Sequence, residues 1–136
     1  MSIHVNCYDR SQTIIHIELV DAWDWTDYHQ VILDCVDMLH SVPHQVNFIG
    51  DIRRSDPLPG GALQEVRRSL PRLPHNWGIT AVVPHTLFLQ TVLLTFQRIY
   101  PNYAHRFFLS HTIEEALAQF AEYRMQTESD INFPSR

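Results

Sequence analysis

The run Val46-Asn47-Phe48-Ile49-Gly50-Asp51, continuing through Ile52-Arg53-Arg54-Ser55-Asp56-Pro57-Leu58-Pro59-Gly60-Gly61, constrains the fold more than any other stretch of this chain. Its first six residues read as a buried central strand that ends at Asp51. The polar residues that follow read as a loop, and the Pro-Gly-Gly that closes the run opens a helix. The rest of the chain builds up to this strand and then repeats its strand-to-helix pattern.

Upstream, Ile3, Val5 and Cys7 alternate with His4, Asn6 and Tyr8, and Ile15, Ile17 and Leu19 alternate with Ile14, His16 and Glu18. Alternation of period two predicts two half-buried strands. The short polar Asp9-Arg10-Ser11-Gln12 between them predicts an antiparallel hairpin. Thr26 then caps a helix whose Trp25, Tyr28, Ile32, Cys35 and Leu39 share one face, while Asp27, Gln30, Asp34, Asp37 and Ser41 form an acidic stripe on another. Pro43 stops it.

Downstream, 62–70 reads as a helix with Leu63, Val66 and Leu70 inward, bounded by Pro71 and Pro74. Residues 77–83 read as a strand of continuous apolar character, and 85–100 as a helix that is apolar almost all round, ended by Pro101. Residues 106–109 form a last short strand. Thr112 and Glu115 make a capping box for a final helix that buries Ile113, Ala116, Leu117 and Phe120.

The order is therefore β-β-α-β-α-β-α-β-α: a single-domain α/β fold with a mixed, mostly parallel sheet. At 136 residues one domain is expected, spanning 1–126, with 127–136 as a polar tail. Strand–helix–strand crossovers are right-handed, so successive crossovers stepping the same way put the helices mainly on one face. The polar His4, Asn6, His16 and Glu18 of the leading strands leave the second face open or used for contact.

A net charge of −5 argues against a nucleic-acid surface. The two cysteines, Cys7 and Cys35, lack a CxxC neighbour and read as buried free thiols. No basic-then-apolar segment opens the chain and no apolar run reaches about 18 residues. A cytoplasmic protein without a transmembrane segment is the expectation.

The aromatic opening Trp23-Asp24-Trp25-Thr26, the strand Val46 to Asp51, the helix start Leu58-Pro59-Gly60-Gly61-Ala62 and the strand Trp77-Gly78-Ile79-Thr80-Ala81-Val82-Val83 together resemble the STAS domain. This is the anti-sigma-factor-antagonist-like (SpoIIAA-like) βα superhelix, related to the lipid-binding SEC14-like domains, and the likeness is greatest to bacterial stand-alone members. It covers residues 1 to 125. The resemblance implies a non-catalytic domain: a regulatory protein-interaction switch, or a binder of a small anionic or lipidic ligand. It departs at one place. Phosphorylatable members carry a serine just before the glycine that opens the helix after the central strand. Here Pro59 precedes Gly60, and Ser55 lies four positions earlier on the loop.

Asp51 ends the central strand, where ligands of open α/β sheets lie. It reads either as a ligand-contacting carboxylate or as one that accepts N–H bonds within its own loop. Arg53, Arg54, Arg67, Arg68 and Arg72 are five of ten arginines, in a chain without lysine. With the free N–H groups of Gly60 and Gly61 they read as an anion site or as a solvated charged face. The nine histidines show no HxH or HExxH spacing, so no metal or cofactor is expected. GxSxG, P-loop and GxGxxG patterns are lacking, which argues against most enzymes.

Phe88, Leu89, Val92 and Phe96 on the all-apolar helix read as a subunit interface or as the wall of an apolar pocket. Two functions follow. One is docking to a protein partner, as a homodimer. The other is holding a lipidic or anionic ligand in an apolar pocket beside that helix, with the arginine segment at its head.

Overall fold

The computed structural model describes residues 2–132, with side chains placed through residue 126. Five strands, β1 (Ile3–Cys7), β2 (Ile14–Asp21), β3 (Val46–Ser55), β4 (Trp77–Val83) and β5 (Phe107–Leu109), form one sheet in the order of the chain. The hairpin β1–β2 is antiparallel, pairing Val5 with Ile17, and every later neighbour is parallel. The helices are α1 (Trp25–His40), α2 (Ala62–Ser69), α3 (Leu87–Ile99), α4 (Pro101–Ala104) and α5 (Ile113–Asn132). The α/β class and the element order agree with the sequence reading, with α4 as an addition. Pro101 does not merely end α3; it takes the first position of that extra turn, where its missing N–H costs nothing. No described helix is long and apolar enough to cross a membrane.

Local sequence accounts for the helix starts. Asp24, not Thr26, caps α1: its carboxylate accepts the Asp27 N–H at 2.9 Å, and the Asp27 carboxylate accepts the Asp24 N–H at 3.2 Å. Thr86 caps α3 by accepting the Leu89 N–H. Thr112 accepts the Glu115 N–H at 3.0 Å, but the Glu115 carboxylate turns to the His111 N–H, so the expected box closes on one side only. Gly61 precedes α2 with φ 85°, a left-handed conformation that glycine adopts without strain.

Two cores flank the sheet. Ile15, Ile17, Phe48, Trp77 and Phe107 face a cluster completed by Val31, Cys35 and Leu39 of α1, Leu93 and Phe96 of α3, and the half-buried Leu63 and Val66 of α2. Ile49, Ile79, Ala81 and Val83 point the other way, onto Ala116 and Phe120 of α5. The helices thus lie mainly on one face, but α5 covers the β3–β4 half of the second. Among the described residues α5 is not part of a strand–helix–strand crossover, so the rule of hand does not fix its side. What remains open on that face is the β1–β2 half. Helix α5 also runs on to Asn132, into the stretch read as a polar tail; residues 133–136 lie outside the described residues.

Strand β3 is four residues longer than expected, because Arg54 and Ser55 pair with Val20 and Asp21 after a register shift that leaves one extra residue in β3. A second irregularity sits between β3 and β4. There the Asn47 side chain accepts the buried Ile79 N–H at 3.0 Å. Gly78 makes room for it: an added Cβ would collide with Asn47 Oδ1 and stand 3.0 Å from the Gln45 side chain. Gly78→Ala should displace Asn47, orphan that N–H and lower unfolding stability by about 1–3 kcal/mol in a urea titration. A loss below about 0.3 kcal/mol would mean that Asn47 is not needed at the bulge.

Candidate functional site

Between the sheet and helices α1, α2 and α3 lies an apolar cavity of about 180 Å³. Its floor is the helix-covered face of the sheet: Ile17 and Leu19 of β2, Phe48, Gly50 and Ile52 of β3, Thr80 and Val82 of β4. Tyr28 and Ile32 come from α1, Leu63 and Val66 from α2, and Leu89, Val92, Leu93 and Phe96 from α3. Trp25, Ile52, Leu58, Ala62, Leu63 and Val92 line it while keeping some solvent exposure. They gather at the carboxyl ends of the strands, where ligands of open α/β sheets enter.

All three tryptophans of the chain line this space. Trp23 and Trp25 pack edge to face at 5.0 Å, and Tyr28 stands against Trp25 at 5.3 Å. At the other side Trp77 lies between Phe48 and Phe107, with Phe96 against Phe107 at 5.3 Å. The polar ends of these rings are tied to the protein. Trp23 Nε1 donates to Ser55 Oγ at 2.8 Å, Trp25 Nε1 to the Gly60 carbonyl at 2.8 Å, and Trp77 Nε1 to Thr80 Oγ1 at 3.0 Å. The Tyr28 hydroxyl shares a 3.0 Å bond with Ser69. Burial pushes that phenol up to about 12, as expected of a dry apolar surrounding. Burial and nearby Asp34 likewise push the Cys35 thiol up to about 12, which leaves it an inert thiol.

Gly50 matters to this cavity. Glycine in mid-strand costs about 0.5–1 kcal/mol relative to alanine. Yet a Cβ at Gly50 would meet nothing closer than 3.9 Å. Packing does not require glycine here, and the missing side chain widens the floor of the cavity.

The residues singled out in the sequence do not form one site. Leu89, Val92 and Phe96 line the cavity, whereas Phe88 points out, 69% exposed, and Leu87, Leu94 and Ile99 are exposed as well. The arginines disperse. Arg53 and Arg54 belong to β3, not to a loop, and Arg54 sits 3.7 Å from Glu18. Arg67 stacks over Tyr103 and Tyr100, and Arg68 turns to Glu65. Ser55 is a buried strand residue holding Trp23, Gly60 holds Trp25 through its carbonyl, and Gly61 turns the chain into α2.

Asp51 belongs to a separate polar cluster on the second face. It is 1% exposed. Its Oδ1 accepts from Arg53 Nε at 2.9 Å and from the Arg53 N–H, and its Oδ2 meets Arg53 Nη2 at 2.8 Å and His16 Nε2 at 3.0 Å. Burial raises this carboxyl, and the bonds from Arg53 and His16 more than reverse that, so it stays below the usual carboxylate range. Among the described residues no three His, Cys, Asp or Glu side chains are placed to hold a metal ion.

Sequence reasoning missed Trp23, Trp77, Gly50 and Thr80 as cavity residues, and His16 as the partner of Asp51. No protein-family model matches the chain, and no curated protein or solved structure matches it either.

Proposed function

We propose that this protein is a non-catalytic binder of a small apolar ligand, held between the sheet and helices α1 to α3. The observation that carries the reading is the preformed cavity of about 180 Å³ walled by aromatic and aliphatic side chains. Pockets of this make-up, opening at the carboxyl edge of a parallel sheet, are where small molecules bind. Of the two functions that the STAS and SEC14-like resemblance implies, a protein-interaction switch or the binding of a small anionic or lipidic ligand, the cavity favours ligand binding.

A second reading, docking to a partner or to a second copy, draws on the outer side of α3. There Leu87, Phe88, Leu94 and Ile99 are 78%, 69%, 55% and 51% exposed, apolar side chains of the kind found at contacts.

Native mass spectrometry of freshly purified protein separates the two. Ligand binding predicts a monomer that carries extra mass and loses it on harsher activation. A dimer with no extra mass, even after incubation with excess toluene, would refute the ligand reading in favour of docking.

A further inference from the structure

The chemistry of the cavity wall narrows the ligand class, an inference that rests on the ligand-binding reading above. We propose that the cavity takes a small, neutral, ring-shaped molecule of roughly seven to ten non-hydrogen atoms, and that Gly50 sets its size limit.

Size comes first. An apolar cavity of about 150 Å³ accommodates benzene, so one of about 180 Å³ suits one or two small rings and not an acyl chain of lipid length. Neutrality follows from the wall. Among the described residues no charged side chain lines the cavity. The three indole N–H groups and the Tyr28 hydroxyl are already bonded to Ser55, Gly60, Thr80 and Ser69, and the Thr80 hydroxyl on the floor accepts from Trp77. An anionic group inside the cavity would be buried without a partner, which is strongly unfavourable. Arg53 and Arg67 do not supply one: Arg53 grips Asp51 on the other sheet face, and Arg67 is stacked on Tyr100 and Tyr103. A rigid ring matches aromatic walls that offer both faces and edges.

Gly50 is the place on the floor where a side chain is missing without a packing reason, since an added Cβ finds only 3.9 Å neighbours. Larger side chains there would project toward the space the ligand fills.

The test is calorimetric titration of the wild-type chain, Gly50→Ala and Gly50→Val with toluene and naphthalene, and with dodecanoate and dodecyl phosphate. The neutral rings should bind wild type at one site with a negative heat-capacity change. They should weaken modestly in Gly50→Ala and about tenfold or more in Gly50→Val, while neither anion saturates. If Gly50→Val does not fold, as read by circular dichroism, the Gly50→Ala arm carries the test, because its Cβ is accommodated. Saturable dodecanoate or dodecyl phosphate binding that Gly50 substitution abolishes would overturn the ligand class and leave the cavity reading standing. Ring binding unaffected by Gly50 substitution, or none at all, would overturn both.

Discussion

Trp77→Ala should lower unfolding stability by about 3–5 kcal/mol, the range for truncating a large buried aromatic side chain. Trp77 is 5% exposed and closes one side of the cavity. Its ring touches Phe48 and Phe107, and the Arg106 guanidinium lies 4.9 Å above it while donating to its carbonyl. Removing the indole joins the cavity to a new void and takes from Thr80 Oγ1 its indole donor. For a chain of this size the melting temperature should fall by roughly 10–20 °C, read by far-ultraviolet circular dichroism. A loss under about 1 kcal/mol would show that the indole does not close the core.

Arg53→Met should cost about 2–3 kcal/mol at pH 7. Breaking a buried pair leaves an uncompensated charge, usually at a cost of about 3–5 kcal/mol. The lower figure applies because the Arg53 side chain is 43% exposed and its attraction is screened by water. Asp51, at 1% exposure, would keep only His16 and one backbone N–H.

The sign of the pH effect follows from the depressed carboxyl. In the wild type Asp51 contributes stability above its unfolded value of about 3.9, and that contribution is lost as pH falls through its lower folded value. In the variant, burial dominates and the folded carboxyl moves up. The deficit should then be largest at neutral pH and shrink as the solution is acidified and Asp51 takes up a proton. Asp51→Asn added to Arg53→Met should recover part of the loss at pH 7. Denaturant titrations from pH 3 to 7 check this; a deficit that is flat with pH would mean that Asp51 is not the group left exposed to burial.

The fold was largely legible because alternation, caps and turn residues agreed with one another. The placement of α5 was legible in principle. Residues 77–83 are apolar on both faces, which marks a strand covered on both sides, and the polar pattern of β1 and β2 should not have been extended to β4. The length of β3 was not legible, since Arg53, Arg54 and Ser55 look like loop residues and are strand only through pairing with Val20 and Asp21.

The arginine segment shows why nearness along a chain misleads. Arg53 faces Asp51 from a strand, and Arg67 on a helix faces Tyr100 and Tyr103. The Asp51–His16 pair depends on the parallel register that sets Glu18 beside Asp51, which no spacing in the sequence encodes. Of Phe88, Leu89, Val92 and Phe96, read as an interface or a pocket wall, the last three line the cavity and Phe88 does not. The aromatic residues of the opposite wall had one sequence signal, that Trp25, Trp77 and Gly50 fall on elements facing the cavity and Trp23 on the connection before α1.

The central claim, that a ligand enters this cavity, is tested most directly by a two-dimensional ¹H–¹⁵N spectrum recorded as toluene is added. The chain has three tryptophans, so three indole N–H signals report on the cavity wall at Trp23, Trp25 and Trp77. Our account predicts that all three shift together with the Gly50 amide and saturate with one dissociation constant. Indole signals that stay fixed, while changes collect on Leu87, Phe88 and Leu94 on the outer side of α3, would contradict it.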